Sequence, residues 1–447
     1  MIKISKSKNF GTMKTLILLC LSISIAISQT LDDYIKIALE NNQELRAYKL
    51  QVEAADRKIK QVSTPSDPML MLGIINLPTN FSFTADMMTM KEIGISQMLM
   101  YPEKYSLMGK MAEKDYEIAK EIYESKRLEL IASVKMLYFE IYYMTRAIEI
   151  TRRSIDLLRD FVKIASTRFA TGQGIQQDVL KAQVELSKMI DELVKMETER
   201  KDMIARFNAL LYRKPMDSVY VPDEMRFVEF TKGFDEIEKL AFENNPMLIA
   251  MGKMVEKDRV MNRLARKELI PDFEVKFSYG VRSAIDPSGM KALDMLSLSV
   301  GMNLPVFFWR KQNLKIQETE ISISQSEAKY LAMKNEISKM IQETLNKIEK
   351  NVRLIDLYKN GLIPQATQNL NIGLVGYQVG KIDFMTLVDN FMSLYNYQIQ
   401  YEKIFSDLFR VFKLFYLLLA YIPIEKSFAS AFNKQICTLN YIRIFTT

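Results

Sequence analysis

Two hydrophobic periodicities share this chain. In 272–282, Phe273, Val275, Phe277, Tyr279 and Val281 alternate with Glu274, Lys276, Ser278, Gly280 and Arg282. In 296–304, Leu296, Leu298, Val300, Met302 and Leu304 alternate with Ser297, Ser299, Gly301 and Asn303. A period of two predicts strands with one apolar and one polar face. A run at 91–99 alternates passably and 68–78 is blurred. Elsewhere the period is helical. Residues 31–62 place Leu31, Tyr34, Ile35, Ala38 and Leu39 at helical spacing, and Asn41-Asn42 marks a break. Residues 103–169 hold no proline and one glycine, Gly109. As a single helix they would run about 100 Å at 1.5 Å per residue, too long for a small globule, so they must pack as coiled coil or bundle. A return helix is predicted at 175–211, with Val179, Leu180, Ala182, Val184, Leu186, Met189, Ile190, Leu193 and Met196 as its apolar side. Residues 309–376 and 384–421 repeat this pair. Pro364 falls inside the third long element and predicts a kink or break.

The pattern is duplicated. Leu31-Asp-Asp-Tyr-Ile-Lys-Ile-Ala-Leu-Glu-Asn-Asn42 is echoed by Phe234-Asp-Glu-Ile-Glu-Lys-Leu-Ala-Phe-Glu-Asn-Asn245, 203 residues on. The turn at Arg168-Phe-Ala-Thr-Gly172-Gln-Gly is echoed at Gly376-Tyr-Gln-Val-Gly380-Lys, and Phe169 precedes Tyr377 by 208 residues. Glycine suits a helix stop because it takes the left-handed conformation without steric cost. A nearly constant offset across half the chain signals tandem repeats. The expected organisation is a leader at 1–28, a first repeat at 29–212, a linker at 213–233 (Pro215, Pro222, Gly233), a second repeat at 234–422, and an unassigned tail at 423–447.

Strands of this length suit either a transmembrane barrel wall or a soluble sheet with one wet face. The N-terminus shifts the balance. Lysines, then Leu16-Ile-Leu-Leu-Cys20-Leu-Ser-Ile23, then Ala26-Ile27-Ser28 read as a secretory signal. The apolar run is shorter than the roughly 20 residues of a membrane span. Four strands cannot close a barrel, and open edges are not tolerated in lipid, so several chains must share one; three copies would give twelve strands.

Composition removes other classes. Of 447 residues 48% are apolar and 26% charged, which fits neither disorder nor a polytopic helical membrane protein. The net charge of +7 owes four lysines to the leader (Lys3, Lys6, Lys8, Lys14); without them it is +3, and no nucleic-acid role follows. There is no histidine, and Cys20 and Cys437 are the only cysteines. Histidine-based catalytic arrangements and the commonest zinc ligand are excluded. No phosphate-cradling or dinucleotide-binding glycine pattern occurs. The expectation is no catalytic residue, cofactor or metal site, and no enzyme. Methionine is abundant at 29, with Met87, Met88, Met90, Met98 and Met100 around the first strand pair. Thioethers can bind copper(I), but here they are read as apolar filling of a flexible sheet.

Taken together, residues 31–421 resemble the outer-membrane efflux protein family, the TolC-like channels. The resemblance rests on the duplicated element order and on Arg168-Phe-Ala-Thr-Gly172, Asp178-Val179-Leu180, Ile363-Pro-Gln-Ala366, Tyr377-Gln-Val-Gly380, Leu387-Val388-Asp389 and Leu394-Tyr395-Asn396. It implies a mainly α chain with a small β part: long helical hairpins forming a trimeric periplasmic barrel, and four strands per chain contributing to a shared twelve-stranded transmembrane β-barrel. It implies a homotrimer in outer-membrane lipid, a periplasmic adaptor, and an inner-membrane pump of the RND, ABC or MFS type. By the resemblance, Thr171, Gly172, Gln173, Val379, Gly380 and Lys381 at the hairpin tips meet the adaptor. Asp389 would line the periplasmic gate as an acidic ring, with Thr386 where the family's efflux prototype has a second acid and Ile382 where it has an arginine. Asp178 and Tyr377 match positions that tie neighbouring hairpins. Aromatics at Phe81, Phe83, Tyr101, Tyr279, Phe307, Phe308 and Trp309 are expected at the membrane interfaces. The alternative reading is a periplasmic coiled-coil scaffold or adaptor without a barrel, which would carry one helical hairpin and a lipoyl-like domain.

Overall fold

The computed structural model describes residues 30–222, 233–285 and 289–419, with side chains to residue 411. The leader with Cys20, linker residues 223–232, and the tail with Cys437 lie outside the described residues. The first half runs α1 (Leu31–Asn41), α2 (Gln43–Ser63), β1 (Met69–Ile75), β2 (Met90–Leu99), α3 (Pro102–Ala170) and α4 (Gln176–Leu210). The second runs α5 (Phe234–Asn244), α6 (Pro246–Lys267), β3 (Phe273–Arg282), β4 (Met295–Met302), α7 (Gln312–Asp356), a π-helical turn (Leu357–Leu362), α8 (Ile363–Gln378) and α9 (Phe384–Leu419). The fold is mainly α with one four-stranded antiparallel sheet in the order β1-β2-β3-β4.

The duplication reaches single hydrogen bonds. Asn42 ends α1 and caps α2, its Oδ1 accepting from the Leu45 amide at 2.9 Å. Asn245 does the same between α5 and α6, accepting from Leu248 at 2.9 Å. A short polar side chain there satisfies an amide that the helix start leaves open. At the other end Gly172 and Gly380 sit at φ of 71° and 75°. The Gln173 and Lys381 amides reach back to the Arg168 and Gly376 carbonyls at 2.8 Å. Both tips are the same Schellman stop.

Pro364 does not break its helix. Its ring has no N–H and crowds the carbonyl four residues back. The chain widens upstream instead, and the Ile363 amide bonds to the Tyr358 carbonyl, five residues back. One π turn absorbs the misfit and α8 continues with Pro364 in its first turn.

Helices α3, α4, α8 and α9 share a core near the tips, with Leu158, Phe161, Ala165, Ala182, Met189, Leu370, Phe384, Leu387, Val388 and Phe391 buried. Phe161 meets Phe391 edge to face at 5.7 Å. Two smaller cores sit toward the middle. One joins Tyr34, Ala38 and Leu45 to Val134, Ile141 and Phe207. The other joins their counterparts Ile237, Ala241 and Leu248 to Ile337, Ile341 and Leu408. The apolar side predicted for α4 is split: Ala182, Met189 and Met196 are buried, whereas Leu180, Val184 and Ile190 are exposed. Among the described residues no helix is long and apolar enough to cross a membrane.

The sheet is inside out by the standard of a soluble protein. The register aligns Leu70, Ile95, Phe277 and Leu298 in one row, and Leu72, Ile93, Tyr279 and Leu296 in the next. This face is exposed: Ile95 is 48% and Phe277 46% accessible. The opposite face carries Ser96 at 4% and Ser278 at 5%, with Glu92 paired to Lys276 at 3.1 Å. At the centre of the sheet, on β2 and β3, small polar groups are enclosed while large apolar ones face out, which costs heavily in water and suits hydrocarbon. Lys91 on the apolar face sits one residue in from the strand end, its ammonium 5.2 Å from the Phe83 ring. Phe307, Phe308 and Trp309 follow β4 as an exposed aromatic group, Phe308 and Trp309 5.3 Å apart.

Candidate functional site: the hairpin tips

The α3–α4 and α8–α9 turns lie side by side, and three side chains join them. Tyr377, near the end of α8, is buried, and its hydroxyl donates to Asp178 Oδ2 on α4 at 3.0 Å. Arg168 lays its guanidinium over the Tyr377 ring at 4.7 Å, donates through Nη2 to the Gln173 carbonyl at 2.8 Å, and through Nη1 to the Tyr377 carbonyl. Gly380 leaves room for it: a Cβ there would stand 3.3 Å from Arg168 Nη2. Arg168 Nε is buried without a hydrogen-bond partner. Burial, and then the bond to Asp178, push the Tyr377 phenol up to about 12, against the opposing charge of Arg168. The phenol therefore remains a donor at any physiological pH.

The start of α9 is set by Asp383, whose Oδ1 accepts from the Thr386 amide at 2.7 Å. That bond holds the Asp383 carboxyl below the usual carboxylate range. Phe384, Leu387, Val388 and Phe391 turn into the core, so Thr386 and Asp389 are left on the exposed face of α9. Asp389 is exposed, and Ser393 donates to its backbone carbonyl at 2.8 Å. Close helix contact behind them depends on Gly373: a Cβ there would meet Asn390 Nδ2 at 2.8 Å, where Asn390 Oδ1 accepts from Asn369 Nδ2 at 2.7 Å.

Of the residues expected from sequence, Asp178 and Tyr377 are brought into contact. Thr171, Gly172, Gln173, Val379, Gly380 and Lys381 are exposed together around the two turns. Asp389 and Thr386 share a surface but are separate from the Tyr377 cluster. Arg168, Asp383 and Gly373 went unassigned in the sequence. Arg168 stood inside a quoted motif, and its position five residues before Gln173 was the available signal. The Gly373 contact is long range and left none. Among the described residues no group of three or more His, Cys, Asp or Glu could hold a metal ion.

Residues 34–211 match the family described as "Outer membrane efflux protein". The cobalt-zinc-cadmium resistance protein CzcC of Cupriavidus metallidurans is 20% identical over 85% of this chain and 87% of its own length. The outer membrane efflux protein BepC of Brucella suis is 18% identical over 72% of this chain and 71% of its own length. Among solved structures, the outer membrane protein VceC of Vibrio cholerae superposes with a TM-score of 0.74 at 16% identity, covering 87% of this chain and 95% of VceC. The CmeC outer membrane channel of Campylobacter jejuni gives 0.73 at 13% identity, covering 90% and 89%. The first half of the chain, over residues 34–211, thus matches the outer membrane efflux protein family, and the fold of both halves is that of the solved outer-membrane channels.

Proposed function

We propose that this protein is a passive exit duct in the outer membrane, not an enzyme. Three copies pair β1 of one with β4 of the next, share a twelve-stranded barrel, and extend their hairpins as a tunnel through the periplasm. The repeats, 29–212 and 234–422 around the linker 213–233, each supply half of one subunit's wall. The observation that carries this is the sheet: an apolar outer face, a polar face enclosed at its centre, and two edges, β1 and β4, left for pairing. Lipid demands closure of such edges, and one chain lacks the strands. An adaptor would need one hairpin; this fold has two, and one sheet made jointly by both halves.

The tips are the periplasmic mouth. Thr171, Gly172, Gln173, Val379, Gly380 and Lys381 form the surface offered to an adaptor, which in turn docks an inner-membrane pump of a tripartite efflux or type I secretion system. Asp389, three times over, lines the mouth as an acidic ring that favours cations, with Thr386 one turn earlier. The Asp178–Tyr377 bond holds the two hairpins of a subunit together at the narrowest point. CzcC and BepC are described as a metal-resistance and an efflux protein, which favours efflux over protein secretion. The test is membrane fractionation and planar-bilayer recording on the purified mature protein. A heat-sensitive trimer from outer membranes with discrete conductance is expected. A water-soluble monomer without conductance would overturn the duct.

A further inference from the structure

Methionine is not spread evenly over the sheet. The register places Met69, Met71, Met90, Met98 and Met295 on the polar face, together with Gly73, Gly94, Gly280, Gly301, Ser96, Ser278, Ser297, Ser299 and the charged Glu92, Glu274, Lys276 and Arg282. Besides those methionines, Ile75 alone among that face's strand residues has a large apolar side chain. The outward face takes Leu, Ile, Val, Phe and Tyr, with Lys91, Gln97 and one methionine, Met302. Apolar filling would not sort this way, because a thioether serves as well against lipid as leucine does. What separates the two is the sulfur lone pair.

Resting on the duct reading, in which this face borders the lumen, we propose that these thioethers are binding stations for a soft monovalent metal ion, copper(I) or silver(I). The principal station is Met90 with Met295. Gly280 is the direct cross-strand partner of Met295. The Met90 side chain lies across the same glycine, its Cγ 3.2 Å from where a Cβ would stand and its sulfur nearer still. The missing side chain of Gly280 thus leaves the notch that the Met90 thioether lies across, and the register sets Met295 beside that notch on the next strand. A second station lies toward the helices, where Met69 opposes Ser96 and Met98 follows two residues on, a diagonal pair on the same face.

The donor chemistry selects the ion. Thioethers are neutral and soft; they bind without losing a proton and prefer copper(I)-like ions over magnesium, calcium or manganese. Glu92 is neutralised by Lys276, so simple charge attraction is a small part of this wall. Two stations along the strands suit conduction, which needs binding strong enough to admit an ion and weak enough to release it.

The test uses the full trimer of the mature protein in detergent with its thiol removed (Cys437→Ser), since a thiolate would outcompete thioethers. Methionine is labelled with 13C at the methyl group and silver nitrate is titrated in nitrate buffer. Shifts of the Met90 and Met295 methyl signals are expected at the lowest silver concentrations. Met90→Leu with Met295→Leu, which conserves volume, should weaken silver binding at least about tenfold, the loss that even an outer-shell partner produces. Gly280→Ala should weaken it with every methionine retained, because it displaces the Met90 sulfur. Unchanged silver affinity in the leucine variant, or shifts confined to helical methionines, would overturn the proposal. Conductance without silver, recorded on the same samples, separates the two readings: a conducting channel indifferent to silver sinks the thioether stations and leaves the duct, whereas loss of conductance in the parent sinks the duct.

Discussion

The two return helices, α4 and α9, hold equivalent places in the repeat and meet different surroundings. On α9, Val388 is 3% exposed, covered by α3 of the other half. Its counterpart 208 residues earlier is Leu180 on α4, which is 54% exposed, with Val184 at 49% and Val194 at 58%. The same ridge is core in one copy of the repeat and bare in the other. The complementary surface is bare too: Ile372 and Val375 on α8 are exposed, and the counterpart of Ile372, Ile164 on α3, packs into the tip core. One seam of the helical wall is closed inside the chain. In the proposed trimer the equivalent seam, between α4 and α8, is the one a second copy would close.

Breaking that equivalence should have the largest effect. Leu180→Asp with Val184→Asp should abolish the trimer, since each buried aliphatic is worth about 1.5–3 kcal/mol and the seam recurs in every subunit. Native mass spectrometry in detergent should then show monomers of unchanged helix content by circular dichroism. Val388→Asp should unfold the subunit instead, because its partner surface is its own chain. A trimer that survives the α4 changes would refute the equivalence.

The tie between hairpins comes next. Tyr377→Phe leaves Asp178 unpartnered in a half-buried site and removes a bond worth roughly 1.5–3 kcal/mol, as hydrogen bonds to charged groups are. Channel recordings should show a higher open probability, and Asp178→Asn a smaller rise. The pH dependence has a definite sign. The phenol pKa is raised from 10.0 to about 12, so the tie is at full strength below pH 10 and fades as pH climbs through about 12. In Tyr377→Phe that alkaline transition in conductance should vanish.

Within the sheet, Gly94→Val should cost about 1–3 kcal/mol, because even its Cβ would lie 2.9 Å from Ser278 Cβ. Gly301→Val on β4 meets nothing within 4 Å in the single chain and should leave the stability of the isolated subunit unchanged. The smallest contrast is at the tips. Gly172→Ala and Gly380→Ala each force an L-residue to positive φ, at about 1–2 kcal/mol. Gly380→Ala should cost more, by a few degrees in thermal melts, because its Cβ also crowds Arg168.

Several of these features were legible in the chain. The strands at 272–282 and 296–304 alternate cleanly because Phe, Val and Leu face Ser, Glu and Lys. The run at 68–78 was blurred for a chemical reason: Met69 and Met71 belong to the polar face but read as apolar beside Leu70 and Leu72. Asn41-Asn42 announced a break that Asn42 makes by capping. Pro364 announced a kink, and the π turn that relieves it depends on the bonds around it rather than on the proline alone. Asp178 and Tyr377 could be singled out one by one. Their hydrogen bond, and Arg168 lying across Tyr377, join residues some two hundred positions apart.

By itself the sequence determined the local features and the count: helix starts and stops, strand periodicity, the doubling of the whole pattern, and the lack of histidine chemistry. Each follows from the preferences of a few neighbouring residues. Tertiary structure decided which apolar surfaces turn inward. Leu180 and Val388, or Met69 and Leu70, are nearly alike in hydrophobicity, and no local preference distinguishes a face that meets another helix from one that meets lipid, lumen or a second copy. That choice depends on which surfaces are left once the chain has closed on itself.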